Sequence, residues 1–272
     1  MQISGYVHDG HHAVGRINGE VITPLGGFTA VGPQTSIEAV HAAEPSGDPV
    51  PLTEVELLPP VPAKVLCVGL NYLAHVAETR RDVPEYPVLF PKFASSLVGA
   101  HADIVAPPES SAVDYEVELA VVMGRPVRRA SETSALDAVL GYAVANDVSM
   151  RDYQYKTHQW LQGKAWDRST PVGTIVTADA VDPSGLDIRL EVNGAELQSA
   201  NTAQLMFSIP RLISLISEFT ELGPGDVILT GTPAGIGIKR DPPVLLTDGD
   251  LMVGEVSGVG RIENRVRAEQ LG

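Results

Sequence analysis

The chain has 272 residues, 44% of them hydrophobic, and a formal net charge of −15 at pH 7. A chain of this length can bury a substantial core, so we expect one main domain and a smaller accessory domain. The acidic balance argues against nucleic acid or an anionic membrane as a partner, since both select basic surfaces. No apolar run reaches the roughly 18 residues of a membrane span, and the N-terminus lacks a signal-peptide pattern, so we expect a cytoplasmic protein.

The beginning of the chain is predicted to form a small β-rich unit. Three short stretches, residues 3–7, 13–17 and 20–24, are separated by Asp-Gly and Asn-Gly pairs, which favour hairpin turns. A group of prolines around residue 60 marks the end of this unit. We therefore predict an N-terminal β-rich domain over residues 1–60 and a main domain over residues 61–272.

The next predicted strand, at residues 65–69, leads into a histidine and a glutamate three positions apart. The strand contains the chain's single cysteine, Cys67, which is expected to be a core residue without a disulfide. The following segment reads G-L-N-Y-L-A-H-V-A-E, and on a helical turn its His75 and Glu78 would lie side by side. Such a carboxylate can orient the imidazole as a general base, although an exposed turn with an ordinary polar pair is the alternative. Residues 80–91 then combine charge with prolines, as a mobile lid or an ordinary surface loop would.

An acidic pair interrupts the apolar run at residues 113–123. Residues two apart in a strand point to the same face, so Glu116 and Glu118 are predicted to project together. A second apolar run, residues 141–146, could deliver Asp147 to the same point. Three carboxylates with no neighbouring Cys suit Mg²⁺ or Mn²⁺. The alternative is a solvated strand face, with Asp147 capping a turn.

Basic and amide side chains follow the third carboxylate. Arg151 offers a planar fork for a substrate carboxylate, Gln154 offers an amide, and Lys164 offers a point charge beside the metal. Each of them alone is also typical of a solvated surface. If they face the predicted metal, they supply the local positive charge that an anionic substrate needs in an acidic protein.

The last third of the chain is predicted to contain one amphipathic helix and several short strands. Apolar residues recur with helical spacing over residues 204–219, which indicates a helix that buries one stripe. Strands are predicted at residues 188–192, 226–229 and 251–256. The segment 225–237 runs into a glycine-rich turn whose N–H groups could meet an anion, or which is simply a tight turn. It lacks the G-K-[S/T] of a P-loop, and no helical pattern follows its glycines, which argues against a nucleotide site.

Taken in this order, the segments resemble the fumarylacetoacetate hydrolase family, in particular its bacterial branch that acts on short 2-oxo or 2-hydroxydienoic acids. The resemblance runs from about residue 64 to residue 264 and rests on the motifs G-L-N-Y-x-x-H-x-x-E, P-V-L-F, E-x-E, N-D-V-S-x-R-D, G-K-x-W-D and T-G-T-P-x-G-I-G. It implies a mixed α+β, β-rich fold, namely a fumarylacetoacetate-hydrolase-like mixed β-sandwich roll with a small N-terminal β-rich domain. It also implies a homodimer.

The resemblance further implies a role for each residue singled out above. The metal, Mg²⁺ or Mn²⁺, would be held by Glu116, Glu118 and Asp147, and the water-activating dyad would be His75 and Glu78. The other implied roles are Lys164 at the metal-proximal edge, Thr232 as a contact to the substrate carboxylate, and Arg151 and Gln154 as substrate contacts on the lid or distal side. Many relatives read G-K-S-F-D where this chain reads G-K-A-W-D, a change that alters the pocket and leaves the substrate open.

The implied activity is metal-dependent hydrolysis of a carbon–carbon bond in an acylpyruvate-like 2,4-dioxo acid, which gives pyruvate and a carboxylic acid. The same metal site could instead decarboxylate oxaloacetate, or isomerise or decarboxylate 2-hydroxyhepta-2,4-diene-1,7-dioate, because one fold hosts several reactions. A non-catalytic alternative is a protein that binds 2-oxo acids without turnover. Acid–base groups beside a metal favour chemistry over that alternative.

Overall fold

The structure is a computed structural model that describes residues 1–270, and over those residues it forms twenty β-strands and five α-helices. The strands are β1 (Gln2–His8), β2 (His11–Asn18), β3 (Val21–Leu25), β4 (Val50–Pro51), β5 (Glu56–Leu58), β6 (Val65–Gly69), β7 (Val88–Lys92), β8 (Leu97–Val98), β9 (Ile104–Ala106), β10 (Val113–Asp114), β11 (Val117–Met123), β12 (Val139–Asn146), β13 (Ser149–Met150), β14 (Thr170–Pro171), β15 (Ile175–Thr177), β16 (Asp187–Val192), β17 (Ala195–Asn201), β18 (Val227–Leu229), β19 (Leu251–Val256) and β20 (Gly260–Ala268). The helices are α1 (Ile37–Ala42), α2 (Leu73–Thr79), α3 (Arg151–Gln154), α4 (Leu161–Lys164) and α5 (Ile209–Phe219).

Two sheets carry the fold, which is mixed and β-rich as predicted. The larger sheet has the strand order β4-β3-β2-β1-β15-β12-β11-β18-β6-β7, with β5 paired to β1, and the smaller has the order β17-β16-β19-β20-β9. Leu119 and Val144 of the larger sheet share one buried apolar cluster with Leu190 and Met252 of the smaller sheet. The cluster shows that the two sheets pack face to face as a sandwich.

The N-terminal strands extend the larger sheet. The stretches predicted at residues 3–7, 13–17 and 20–24 fall on β1, β2 and β3, and Asp9-Gly10 turns between the first two with positive φ at both residues. Strand β1 also pairs antiparallel with β15. Hydrogen bonding is therefore continuous from the N-terminal strands into the rest of the sheet, and the domain division at residue 60 stays a prediction.

The predicted helix over residues 204–219 was wrong at its start. Helix α5 begins at Ile209, because Ser208 caps it by accepting a hydrogen bond from the Arg211 N–H, and Pro210 lies in the first turn. Residues 205–208 precede the helix even though Leu205 continues the apolar spacing. The cap and the proline thus set the boundary that periodicity alone misplaced.

Within the described residues, no helix is long and apolar enough to cross a membrane.

The single strand predicted over residues 113–123 was also wrong, since it is divided into β10 and β11. At the division, the backbone N–H of Glu116 donates to the side-chain Oδ1 of Asn146 at 2.8 Å. The backbone carbonyl of Glu116 accepts from the Asp147 N–H at 2.8 Å. The Asn146 side chain therefore takes the place of a backbone acceptor in the strand pairing. The regular strand is interrupted at this point, beside the predicted metal ligands.

Candidate active site

The three predicted metal ligands meet at one end of the β11–β12 pair. Val117 is paired with Asn146, so Glu116, just before β11, and Asp147, just after β12, lie opposite each other. Glu118 is the second residue of β11. One ligand atom from each carboxylate can be chosen so that all three lie within 4.8 Å of one another. The site is buried and offers only oxygen donors, which fits a hard divalent cation such as Mg²⁺ or Mn²⁺.

Buried cationic side chains contact two of the three carboxylates, Glu116 and Asp147. The Lys164 ammonium donates to Glu116 Oε2 at 2.7 Å and to Asp147 Oδ2 at 2.8 Å. Lys92 donates to the other oxygen of Asp147, Oδ1, at 2.5 Å. Nη2 of Arg151 lies 2.7 Å from Glu116 Oε1. Carboxylates this close together and this buried would repel one another, and the neighbouring cations offset that repulsion.

The surrounding charges separate the pKa values of the two glutamates. Burial raises the pKa of Glu116, but Lys164, Arg151 and His75 lower it more, and the resulting pKa is about 2. For Glu118, burial and the neighbouring Asp147 and Glu116 raise the pKa well above its usual range. Burial lowers the pKa of Lys164, yet Asp147 and Glu116 raise it above its usual value overall. A bound cation would therefore favour the charged form of Glu118.

The predicted dyad forms on helix α2. Nδ1 of His75 lies 3.1 Å from Oε2 of Glu78, as the spacing of three residues predicts. The other carboxylate oxygen of Glu78 accepts a hydrogen bond from the Gly235 N–H at 2.9 Å. Because Nδ1 is taken by Glu78, the ring nitrogen left for proton exchange is Nε2. Asn71, just ahead of the helix, anchors this segment through bonds to the backbone carbonyls of Thr230 and Phe207.

The glycine-rich turn binds carboxylates that belong to the protein itself. Its N–H groups donate to Glu118 Oε2 from Gly231, to Glu78 Oε1 from Gly235 and to Asp114 Oδ1 from Gly237. Gly231 and Gly235 have φ of 103° and 108°, values that L side chains rarely adopt. A Cβ on Gly235 would lie 2.2 Å from the Leu197 carbonyl oxygen. The turn therefore links Glu78 of the dyad to the predicted metal ligand Glu118. The anions that it binds here are side chains of the protein itself.

The predicted substrate contacts have partners within the site. Nε of Arg151 donates to Asp114 Oδ2 at 2.8 Å, and Nη1 donates to Gln154 Oε1 at 2.8 Å. Within residues 1–270, Nη2 has no acceptor in hydrogen-bonding geometry, although its ion pair with Glu116 is close. The Thr232 hydroxyl accepts a hydrogen bond from the Gln198 amide at 2.8 Å. Arg151 is therefore fixed in place by the protein, through Asp114, Gln154 and the ion pair with Glu116.

A cavity of about 120 Å³ joins these groups. Both the dyad and the metal site reach it, since its wall includes His75, Glu116 and Lys164. All three predicted substrate contacts also line it, namely Arg151, Gln154 and Thr232. The structure thus brings the sequence-predicted acid–base groups, one predicted metal ligand and the predicted substrate contacts to a single small chamber.

The outer part of the cavity is aromatic and basic. Trp160 packs edge-on against Phe90, with ring centroids 5.4 Å apart, and lies against Gly69, where a Cβ would be 2.3 Å from the indole. The Arg81 guanidinium lies 5.5 Å from the centroid of the Trp160 ring. Lys239 also lines the cavity, and both it and Arg81 are exposed. An anionic group extending from the metal site would meet positive charge here.

Sequence reasoning missed four residues that hold the site together. They are the buried side chains Lys92 on Asp147, Asp114 on Arg151, Gln198 on Thr232 and Asn71 at the start of the dyad segment. A signal existed for three of them, because Asn71 lies inside the G-L-N-Y-x-x-H-x-x-E motif, Lys92 two positions after the P-V-L-F motif and Asp114 two positions before Glu116. Gln198 has no local pattern that distinguishes it from an ordinary polar residue.

Comparison with known proteins assigns most of the chain to one family. The family model for the fumarylacetoacetate (FAA) hydrolase C-terminal region matches residues 64–267. The oxaloacetate tautomerase FAHD2A, mitochondrial, of Bos taurus is 43% identical over 266 residues, which cover 92% of this chain and 85% of the relative.

Solved structures agree with this assignment. The 2-hydroxyhepta-2,4-diene-1,7-dioate isomerase from Mycobacterium marinum is 34% identical, with a TM-score of 0.85 and coverage of 100% of both chains. The fumarylpyruvate hydrolase from Pseudomonas aeruginosa, in complex with Mn²⁺ and pyruvate, is 33% identical, with a TM-score of 0.72 and coverage of 79% of this chain and 92% of the other. The relatives' names thus span tautomerisation, isomerisation and hydrolysis of small organic acids.

Proposed function

The chain belongs to the fumarylacetoacetate hydrolase family, and from this premise we propose that it is a divalent-metal-dependent tautomerase of a short 2-oxo dicarboxylic acid, with oxaloacetate as the first substrate to test. The observation that carries the proposal is that His75 and Lys164, two side chains able to exchange protons, line the same cavity as Glu116 of the proposed metal triad. The oxaloacetate tautomerase of Bos taurus, at 43% identity, supports this order of preference over the hydrolysis that the motifs alone favoured.

The carboxylate triad would hold the metal in this proposal. Glu116, Glu118 and Asp147 are the ligands, and Mg²⁺ and Mn²⁺ are the candidates. When bound, such a cation supplies Lewis-acid stabilisation of the negative charge that develops on a 2-oxo oxygen. The Mn²⁺ in the related fumarylpyruvate hydrolase supports the choice of a transition-metal test ion.

Proton transfer is assigned to the side chains of this chain. Nε2 of His75 removes a proton from C3 of the keto acid, while Glu78 holds the imidazole through Nδ1. The electron pair of the broken C3–H bond forms the C2–C3 double bond, and the carbonyl pair moves to the oxygen on C2. Lys164, whose pKa its carboxylate neighbours raise, delivers a proton to that oxygen. The enol forms with no net gain or loss of protons, and the reverse sequence regenerates the ketone.

The outer cavity supports a substrate with a second carboxylate. Arg81 and Lys239 place positive charge in its wall, and Arg81 lies beside the ring of Trp160. In a protein with a net charge of −15, such a local cationic region is needed to attract a dianion. Arg151 also lines the cavity and adds positive charge nearer to the proposed metal site.

A second candidate is hydrolysis of a carbon–carbon bond in an acylpyruvate-like acid. The same His75–Glu78 dyad could take a proton from water so that hydroxide attacks the distal C4 carbonyl. The C3–C4 bond then breaks, its electron pair leaves with the pyruvate fragment as an enolate, and a proton added at C3 gives pyruvate and a carboxylic acid. The fumarylpyruvate hydrolase at 33% identity favours keeping this candidate. Oxaloacetate decarboxylation, which needs the same stabilisation of an enolate but no activated water, remains the third reaction to measure.

A turnover panel on metal-stripped protein, with Mg²⁺ or Mn²⁺ restored, tests the proposal. The substrates are enol-oxaloacetate, acetylpyruvate, fumarylpyruvate and 2-hydroxyhepta-2,4-diene-1,7-dioate, with products identified. We expect metal-dependent conversion of enol- to keto-oxaloacetate without loss of carbon. Release of pyruvate with acetate or fumarate would replace the tautomerase by the hydrolase, and no turnover of any substrate would favour a binding protein.

A further inference from the structure

One buried lysine has no place in the proton transfers proposed above. Lys92 is the last residue of β7, and its side chain has no exposed surface. Its ammonium donates to Asp147 Oδ1 at 2.5 Å and to the Val148 carbonyl oxygen at 3.2 Å. Burying an ammonium group without partners costs free energy. We therefore expect Lys92 to serve a purpose at this place, and its two acceptors indicate what that purpose is.

Asp147 is held by a different lysine on each oxygen. Lys164 takes Oδ2 and at the same time binds Glu116, so Oδ2 is the oxygen on the side of the other carboxylates. Lys92 takes Oδ1 and a backbone carbonyl, which fixes the carboxylate plane from the opposite side. Lys164 lines the cavity, whereas the side chain of Lys92 has no exposed surface. The two lysines therefore differ in what they can reach.

We propose that Lys92 is a positioning residue of the proposed metal site: it fixes the Asp147 carboxylate in the orientation in which it faces Glu116 and Glu118. The inference rests on the metal-dependent function proposed above and deepens it by assigning a residue beyond the three ligands. Hydrogen-bonded partners of this kind, which hold a ligand from behind, are a regular part of metal sites.

The position of Lys92 in the sheet explains how it can act from behind. Residues two apart in a strand share a face, so Phe90 and Lys92 point to the same side of β7. Phe90 reaches the cavity and lies 5.1 Å from the Lys164 ammonium, measured to the ring centroid. Lys92, further along the strand, reaches Asp147 beyond that ring. One strand thus supplies both the apolar wall beside Lys164 and the fixed cation on Asp147.

A simple charge effect and a positioning effect predict opposite results. If Lys92 were only a counter-charge, its removal would leave the site more negative and would strengthen binding of a divalent cation. If Lys92 fixes Asp147, its removal lets the carboxylate turn away and weakens binding. The sign of the change in metal affinity therefore distinguishes the two roles.

The test is a calorimetric titration of metal-stripped protein with MnCl₂, comparing wild type with Lys92→Met. We expect the Kd for Mn²⁺ to rise by about 10- to 100-fold, the range found for residues that support metal ligands. Lys92→Gln, which keeps an N–H donor, is titrated beside it and should show a smaller increase. If Lys92→Met does not fold, the titration of Lys92→Gln still tests the proposal.

Lys64→Met is the matched control. It also removes an ammonium from a buried aspartate, since Lys64 donates to Asp226 Oδ2 at 3.3 Å, but at the opposite end of strand β6 from the cavity. Its Kd for Mn²⁺ should equal that of wild type, whatever its unfolding temperature. An unchanged or lower Kd in both Lys92 variants would overturn the positioning role alone. Absence of Mn²⁺ binding by wild type would overturn it together with the proposed metal site.

Discussion

The two sides of the cavity are secured to different degrees. On the metal side, Glu118 and Asp147 lie at the end of paired strands inside the larger sheet and are almost fully buried. On the dyad side, His75 and Glu78 lie on the short helix α2, which leads directly into the exposed residues 80–83. The Glu78 side chain is 19% exposed, whereas that of Asp147 is 0% exposed.

This difference matches the demands of the two tasks. Holding several like charges together requires fixed counter-charges and exclusion of water, and the sheet provides both. Exchanging protons and admitting a substrate requires access, and a short helix beside a surface segment provides that. We therefore expect substitutions on the metal side to remove activity and alter stability together, and those on the dyad side to affect turnover alone.

The largest effect is expected on the metal side, from Glu118→Gln. Loss of one of the three proposed ligands should reduce metal-dependent turnover by about 10³-fold or more, because every proposed step depends on stabilising charge at the metal. The measurement is turnover of enol-oxaloacetate with Mn²⁺ restored to metal-stripped protein. Retention of more than a tenth of wild-type turnover, at saturating Mn²⁺, would remove Glu118 from the ligand set.

On the dyad side, His75→Gln should lower kcat by about 10²- to 10⁴-fold, the usual contribution of a general base. Glu78→Gln keeps a hydrogen-bond acceptor for His75 but loses the charge, so its effect should be smaller. Both variants should bind Mn²⁺ with wild-type Kd and unfold at nearly the wild-type temperature. A loss of metal affinity in His75→Gln would mean that the two sides are not separate.

At the outer cavity, Arg81→Gln should raise KM for a dicarboxylate by about 5-fold with little change in kcat, as expected for an exposed ion pair worth about 1 kcal/mol. The matched comparison is the monocarboxylate acetylpyruvate, for which KM should not change if that substrate is turned over. Equal changes for both substrates would argue against recognition of a second carboxylate by Arg81. Higher salt should reduce the difference between wild type and variant.

The smallest effect is expected on the stability of the metal-free protein, where the two glutamates should behave oppositely. The pKa of Glu116 is about 2 in the folded state, below the unfolded value of about 4.3. Its contribution to stability is therefore present above about pH 4.3 and is lost as the pH falls towards 2. For Glu118 the folded pKa is raised, so its contribution is present at acid pH and is lost as the pH rises above its unfolded pKa.

At neutral pH, Glu118→Gln should therefore raise the unfolding temperature of the metal-free protein, and Glu116→Gln should lower it because Lys164 and Arg151 lose a partner. Shifts of a few degrees, about 2–4 °C per kcal/mol for a chain of this size, are expected. Thermal unfolding of metal-stripped protein at pH 4 and pH 7.5 measures both. The increase in unfolding temperature caused by Glu118→Gln should be smaller at pH 4 than at pH 7.5. A larger increase at pH 4 would contradict the raised pKa of Glu118.

The sequence predicted the parts of the site that depend on local spacing. Two residues between His75 and Glu78 place them together on a helical turn, and the end of an apolar run places Asp147 beside the E-x-E pair. The predicted resemblance and the β-rich fold are confirmed by the family and structure comparisons. The roles given to the site residues, the homodimer and the cytoplasmic location stay predictions.

The supporting contacts could not be predicted because they join distant positions. Lys92 and Asp147 are 55 residues apart, and Arg151 and Asp114 are 37 apart, so no periodicity relates them. From sequence alone, a lysine in a strand is expected to be exposed to solvent, and only the folded structure shows that Lys92 is buried. The start of helix α5 was misplaced for the opposite reason, because a local cap at Ser208 overrode an apolar spacing that extended further.

The central claim is that a metal held by the triad and a proton-exchanging dyad act together on an enolisable 2-oxo acid. The most direct measurement is the rate at which enol-oxaloacetate converts to the ketone, compared between metal-stripped protein, the same protein with Mn²⁺ restored, and Mn²⁺ alone. We predict fast conversion only when protein and Mn²⁺ are both present, and its loss in His75→Gln. A rate no greater than that of Mn²⁺ alone would contradict the claim.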